Sequence, residues 1–219
     1  MPNWRLHIAV AEEIARNRDL NIENKDEYLF GAVLPDAPWI KEVWLRKPEL
    51  KDKLHFVERT PEKLMGEPAY DEYLDEYREM LNTDMGKGVL THLITDNIFN
   101  VAYNKIIESL QDGHYSLFTS EGKMIIPTAE QVTLLVLSDL RTYSYTLPDV
   151  STINPDNVSG ASELINVVPH EIEVATERVN DDTMVKDYLL PLVIRDKSFY
   201  DNLYADSVKT CNALLSDYN

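Results

Sequence analysis

Cysteine is almost missing from this 219-residue chain, with Cys211 its one representative. That count excludes an internal disulfide framework and a thiolate metal cluster. Glycine is scarce, at seven residues, and alternating β-branched runs are few, which favours helices over sheet. No apolar run approaches the roughly 18–20 residues that a membrane span needs. The opening Met1-Pro2-Asn3-Trp4-Arg5-Leu6-His7 lacks the charged-then-apolar layout of a secretory signal. Positive charge is short as well: 21 Lys and Arg stand against 38 Asp and Glu, a formal net charge of -17. Nucleic-acid binders need Lys and Arg to replace counterions along the phosphates, and an anionic membrane surface would repel such a chain. The expectation is a cytoplasmic protein with no nucleic-acid partner and no stable membrane association.

What is present reads as one all-α domain over residues 1–219, with 44% hydrophobic residues to build its core. Residues 4–17 predict a first helix with Trp4, His7, Ile8, Ala11, Ile14 and Ala15 inward and Arg5, Glu12, Glu13 and Arg16 outward. The segment from Tyr28 begins as a buried helical turn that Pro35 and Pro38 stop, holding Asp36 between them on a stiff turn. A tyrosine-rich helix is expected over 68–82, with Tyr70, Tyr73 and Tyr77 on its packing face, followed by a long central helix over 85–111. Further helices are expected over 128–146, from Pro169 onward, and over 197–216, with residues 148–162 as a loop excursion. Cys211, spaced with Val208 and Leu215, reads as a small buried hydrophobe.

The chemistry concentrates in residues 1–104. On the central helix His92 and Asp96 are four apart and share a stripe with Val89, Phe99, Tyr103, Ile106 and Leu110. An unpaired carboxylate aimed at a core is very costly, and a cation bound by both side chains relieves that cost. His7 and His55 also lie in apolar or aromatic surroundings, whereas His114 and His170 sit in a turn and at a helix start and read as solvated. Imidazole and carboxylate together suit Zn²⁺, and equally Fe or Mn. Thr95 and Asn100 flank the pair as possible outer donors to the ligands.

In the order His7, Gly31-Ala32-Val33-Leu34-Pro35-Asp36, His55-Phe56, His92-Leu93-Ile94-Thr95-Asp96, the chain resembles the zinc-dependent phospholipase C family, and within it a small intracellular branch of uncharacterised bacterial hydrolases. The resemblance spans about residues 4–104 and implies the all-helical phospholipase C and P1 nuclease architecture, with 105–219 as additional helices. It implies that Asp36, His55, His92 and Asp96 hold one metal and that Asp96 bridges to a second, weaker one assisted by His7. The secreted members carry a third metal on a His and a Glu four apart. Here Phe118 follows His114 and Val174 follows His170 at that spacing, and Trp4 is internal, so a mono- or dinuclear site is expected.

The activity this implies is hydrolysis of a phosphate mono- or diester by metal-activated water, with Asp36 at the mouth of the site as general base. Amide hydrolysis on the same metal, or a non-catalytic helical protein with a structural metal, would use the same residues. The helical phosphohydrolases with adjacent His-Asp ligands are disfavoured, since the chain has no His-Asp dipeptide.

Overall fold

The computed structural model describes residues 3–17, 20–39, 53–57, 65–111, 116–118, 121–159, 169–184 and 190–218. Among these, seven α-helices carry the fold: α1 Trp4–Ala15, α2 Lys25–Gly31, α3 Tyr70–Glu76, α4 Asp84–Gln111, α5 Ala129–Ser144, α6 Pro169–Met184 and α7 Lys197–Leu215. Short polar side chains start several of them. Asn3 accepts from Leu6 N–H at α1, Asn24 from Glu27 N–H at α2, and Asp196 from Phe199 N–H at α7. Thr128 and Gln131 form a reciprocal capping box at α5.

The long α4 is the axis, with α2, α3, α5 and α7 packed against it and α1 lying on α4, α6 and α7. Its N-terminal half (Val89, Leu90, Leu93, Ile94) joins α1 and α2 in one apolar cluster. Its C-terminal half (Phe99, Tyr103, Ile106, Ile107) joins α5 and Tyr200 of α7 in another. His92 and Asp96 fall at the seam between the clusters. On α1 the same seam runs through His7, because Leu6 belongs to the second cluster and Ile8 to the first.

Helices α2 and α4 touch backbone to backbone. A Cβ on Gly31 would come 2.2 Å from the Met85 carbonyl oxygen, and one on Gly88 would come 2.2 Å from that of Tyr28. The Tyr28 hydroxyl pairs with Thr91 Oγ1 at 2.8 Å inside the same contact. This close approach brings the end of α2, and the turn carrying Asp36, onto the His92 face.

Several expectations need correcting. The prolines do not stop the segment after α2: Leu34–Trp39 is a 3-10 turn that contains both. The tyrosine-rich helix ends at Glu76, with Tyr77 non-helical, and Arg78–Asn82 is a separate 3-10 turn. Arg5 and Glu12, expected outside, are buried. Arg5 donates to the Ser144 and Pro148 carbonyls, and Glu12 accepts from Lys25 Nζ at 2.8 Å and Ser151 N–H at 3.0 Å. Both polar ends fasten α1 to residues 144–151, so periodicity alone misassigned them. The loop is no free excursion either: Pro155–Asn157 is a 3-10 turn, Ile153 is buried, and Asp26 accepts from Asn154 N–H and Asn157 Nδ2. A short antiparallel hairpin, Leu117–Phe118 with Met124–Ile125, was not foreseen.

Asp139 shows how a buried carboxylate is satisfied by protein alone. It is fully buried and accepts from Val193 N–H, Ile194 N–H and the Tyr200 hydroxyl at 2.8, 2.7 and 2.9 Å. No sequence pattern had singled it out.

Because the α2–α4 contact leaves no room for a methyl group, Gly88→Ala is expected to cost about 1–3 kcal/mol of stability. Urea denaturation of the variant checks it; an unchanged midpoint would mean the two helices are not held this close.

Candidate metal centre

Four chain segments deliver five buried side chains to one place: His7 from α1, Asp36 from the 3-10 turn, His55 from residues 53–57, and His92 with Asp96 from α4. None is more than 3% exposed. His55 Nε2 is 3.1 Å from His92 Nε2, 3.5 Å from Asp96 Oδ2 and 3.4 Å from Asp36 Oδ1. His92 Nε2 lies 3.6 Å from Asp96 Oδ2. The other oxygen of Asp96, Oδ1, faces His7 Nε2 at 3.2 Å. The His7 and His92 rings stack with centroids 3.9 Å apart.

Each position has a local cause. The carbonyl of Ala32, just past the last turn of α2, needs a donor from outside its helix, and it meets His92 Nδ1 at 2.8 Å. Nδ1 therefore carries the proton and donates, leaving the Nε2 lone pair directed at His55 and Asp96. His55 is followed by Phe56, whose φ of 51° is left-handed and uncommon for a large residue. Its ring is clamped edge-on by Tyr73 and Tyr77 at 5.7 Å each. The tyrosine face seen in the sequence thus fixes the turn that presents His55. The Tyr73 hydroxyl in turn donates to the Gly86 carbonyl, tying α3 to α4.

Hydrogen bonding among the described residues does not fully satisfy this cluster. Both oxygens of Asp96, Oδ1 of Asp36 and both ring nitrogens of His7 are buried without a hydrogen-bond partner of proper geometry. No Lys or Arg among the described residues pairs with either carboxylate. The contrast with Asp139 is direct: Asp139 collects N–H and O–H donors, whereas both oxygens of Asp96 and Oδ1 of Asp36 do not.

The donor set fits a metal ion. His7, Asp36 and His92 form one set, and His55, His92 and Asp96 another, with the donor atoms of each within 4.8 Å of one another. Four donors placed tetrahedrally about 2.0–2.2 Å from an ion stand about 3.3–3.6 Å apart. The three separations among His55, His92 and Asp96 run from 3.1 to 3.6 Å, and Asp36 adds an oxygen 3.4 Å from His55 Nε2.

The protonation states suit the same role, because ligands must be deprotonated. Burial, followed by the charge of neighbouring His7, holds the His92 imidazole down at about 3. Burial alone would raise the carboxyl of Asp96, yet the facing His92 and His7 keep it well below the ordinary range. Asp36 is lowered likewise, its burial outweighed by contact with His55 and the charge of His92.

Other foreseen residues are placed differently. Asp36 is buried, not at a mouth, because the 3-10 turn folds it under the end of α2. Thr95 spends its hydroxyl on the Thr91 carbonyl one turn back at 2.7 Å. Asn100 donates to the Gly66 carbonyl, and Asn97 to that of Pro68. His170 is exposed beside Glu173, and His114 lies outside the described residues. The roles of the Ala32 carbonyl, of Gly31 with Gly88, and of the tyrosines as a clamp on Phe56 were missed; the signals for them were Gly31-Ala32, the tyrosine spacing and the glycines of Gly86-Lys87-Gly88 before His92.

Compared with family models, curated proteins and solved structures, the chain has no significant match. The resemblance to zinc-dependent phospholipase C therefore rests on the residues quoted for it. What stands on the structure is an all-helical protein with buried His and Asp sets able to hold metal. No helix among the described residues is long and apolar enough to cross a membrane.

The lowered His92 gives a pH dependence to the metal-free protein. Unfolded, this imidazole takes a proton near its ordinary value of about 6.5, whereas folded it resists until about 3. Stability is therefore lost as pH falls from about 6.5, and the lowered carboxyls add to the loss below about 4. Chelator-treated protein is expected to lose about 2 kcal/mol between pH 7 and pH 5 from His92. A urea midpoint that holds steady over that range would contradict the buried, neutral imidazole.

Proposed function

We propose that this chain is a metal-dependent hydrolase of phosphate mono- or diesters, with Zn²⁺ the first ion to test and Fe or Mn the others its donors admit. The observation that carries the reading is the separation of three donors, His55, His92 and Asp96, which stand 3.1 to 3.6 Å apart as donors around one tetrahedral ion do. An ion held there would supply electrophilic assistance to a phosphoryl oxygen and lower the pKa of water at the site.

The protein's own groups divide the remaining work. His92, fixed by the Ala32 carbonyl, and His55, fixed by the Phe56 turn, supply preset nitrogens. Asp96 supplies both oxygens, one toward each side of the cluster. Asp36, ionised and beside His55, is the carboxylate able to take a proton from the attacking water, provided one of its oxygens is not engaged as a ligand. A cavity of about 580 Å³ opens next to Phe56, lined by Lys53, Glu67, Glu72 and Tyr77.

The depth of burial favours a second reading, a structural metal, because such sites are closed whereas catalytic ones keep a position open. Stripping the protein, reloading it with Zn²⁺ and assaying a chromogenic phosphomonoester, a phosphodiester and a peptide amide separates the readings. The proposal expects one or two ions per chain and turnover of a phosphate ester that chelation abolishes. Bound metal with no turnover of any of them would establish the structural role.

His92→Ala is expected to remove most bound metal and to cost about 3–5 kcal/mol, because Asp96 keeps its buried charge with one of its three facing imidazoles gone. His170→Ala, altering an exposed side chain, should leave both unchanged. Elemental analysis with thermal denaturation checks the pair, and retained metal at normal stability in His92→Ala would overturn the ligand assignment.

A further inference from the structure

The side of α4 turned away from the metal cluster carries a second recess. Lys105 follows Asp96 by about two and a half helical turns, which puts it on the opposite face of the helix. On that face α4 and α7 leave a groove of about 540 Å³ between them. Its walls are apolar: Ile98, Val101, Ala102 and Ile106 come from α4, and Phe199 and Leu203 from α7. All of these except Ile106 are only half-buried, so the walls keep apolar surface open to solvent.

The charged lining residues are sorted by end. Cys211 Sγ of α7 meets the Thr91 carbonyl of α4, while Tyr200, near the start of α7, packs in one cluster with Phe99 and Tyr103. The two helices are therefore antiparallel. Measured away from the Cys211 contact, Lys105 and Arg195 (just before α7) lie at the same end of the groove, and Asn97 and Asp206 lie nearer the other. The Arg195 guanidinium is held 5.7 Å from the centre of the Phe199 ring. A cationic end is notable on a chain of net charge -17.

The width of the groove selects its occupant. Residues 97–109 of a helix extend about 18 Å, and the groove volume spread over that length gives a section on the order of 30 Å². A peptide helix is about 10–12 Å across with its side chains and does not fit. An extended peptide is recognised through free backbone groups of a sheet edge, and both walls here are helices. A single hydrocarbon chain fits such a slot, with a few charged groups to fix its direction.

We propose that this groove binds a free amphiphile with one alkyl chain and a carboxylate head. The alkyl chain lies along Val101, Ala102, Phe199 and Leu203, and the head sits between Lys105 and Arg195. A head with one negative charge suits the groove better than one with two, because the net charge of the protein opposes each addition. The site is separate from the metal cluster and does not rest on the metal reading.

The test is isothermal titration of the full-length protein with decanoate below its micellar concentration, and with decylammonium as a cation of the same chain length. Wild type is expected to bind one decanoate per chain and to prefer it by about tenfold or more, although net charge alone favours the cation. Lys105→Glu, at an exposed position, should weaken decanoate by about fivefold or more. Val101 belongs to neither apolar cluster, so Val101→Trp fills the groove without disturbing the core and should abolish binding. Equal binding of the two amphiphiles, or unchanged decanoate affinity in Lys105→Glu, overturns the proposal. So does binding that persists in Val101→Trp, which would place the carboxylate elsewhere, the metal centre included. Sedimentation of the same proteins tests the other occupant: a wild-type dimer that Val101→Trp dissociates would assign the groove to a second copy and overturn the proposal as well.

Discussion

Two carboxylates buried beside three imidazoles, without enough hydrogen-bond donors to hold them, set the terms for the rest of this molecule. Ionised groups in a core are costly unless paired, and among the described residues the groups that face these two are ring nitrogens. Geometry must therefore do what solvent would do elsewhere. The Ala32 carbonyl sets the His92 proton, the α2–α4 glycine contact sets where that carbonyl stands, and the aromatic clamp on Phe56 sets His55. Remove the cluster's demand for position and most of this packing has no evident purpose.

The arrangement also explains why the site lies at the seam of two apolar clusters. A polar cluster inside one continuous core would interrupt its packing on every side. Placed between the cluster around Ile8 and Leu93 and the one around Phe99 and Tyr143, it interrupts neither. Helix α4 spans both and so carries two of the ligand candidates. The segments that supply His7, Asp36 and His55 meet along that axis.

Sequence periodicity reached a good part of this. An i, i+4 His and Asp on an apolar stripe identified the central helix and its buried face, and the inward side of α1 placed His7 with Ile8 and Ile14. Where periodicity failed, long-range hydrogen bonds had overruled it. Arg5 and Glu12 sit on what looks like a solvent face, and they are buried because carbonyls and N–H groups from residues 144–151 come to meet them. The tyrosine helix breaks at Tyr77 although its spacing continues, and the ring turns to clamp Phe56. Asp36 was foreseen on a rigid turn, but its depth follows from how closely glycine lets α2 approach α4, which composition does not reveal. Asp139 belongs to the same class, since partners far along the chain decide whether a buried polar group is satisfied.

The central claim is that these histidines and aspartates hold an ion and do not merely satisfy one another. X-ray absorption at the metal edge of zinc-reconstituted protein tests it most directly. The account predicts a shell of nitrogen and oxygen only, at about 2.0–2.2 Å, with outer scattering from at least two imidazoles. It also predicts no sulfur, because Cys211 is buried against the Thr91 carbonyl. A sulfur ligand, or zinc that washes away before the spectrum is taken, would contradict it.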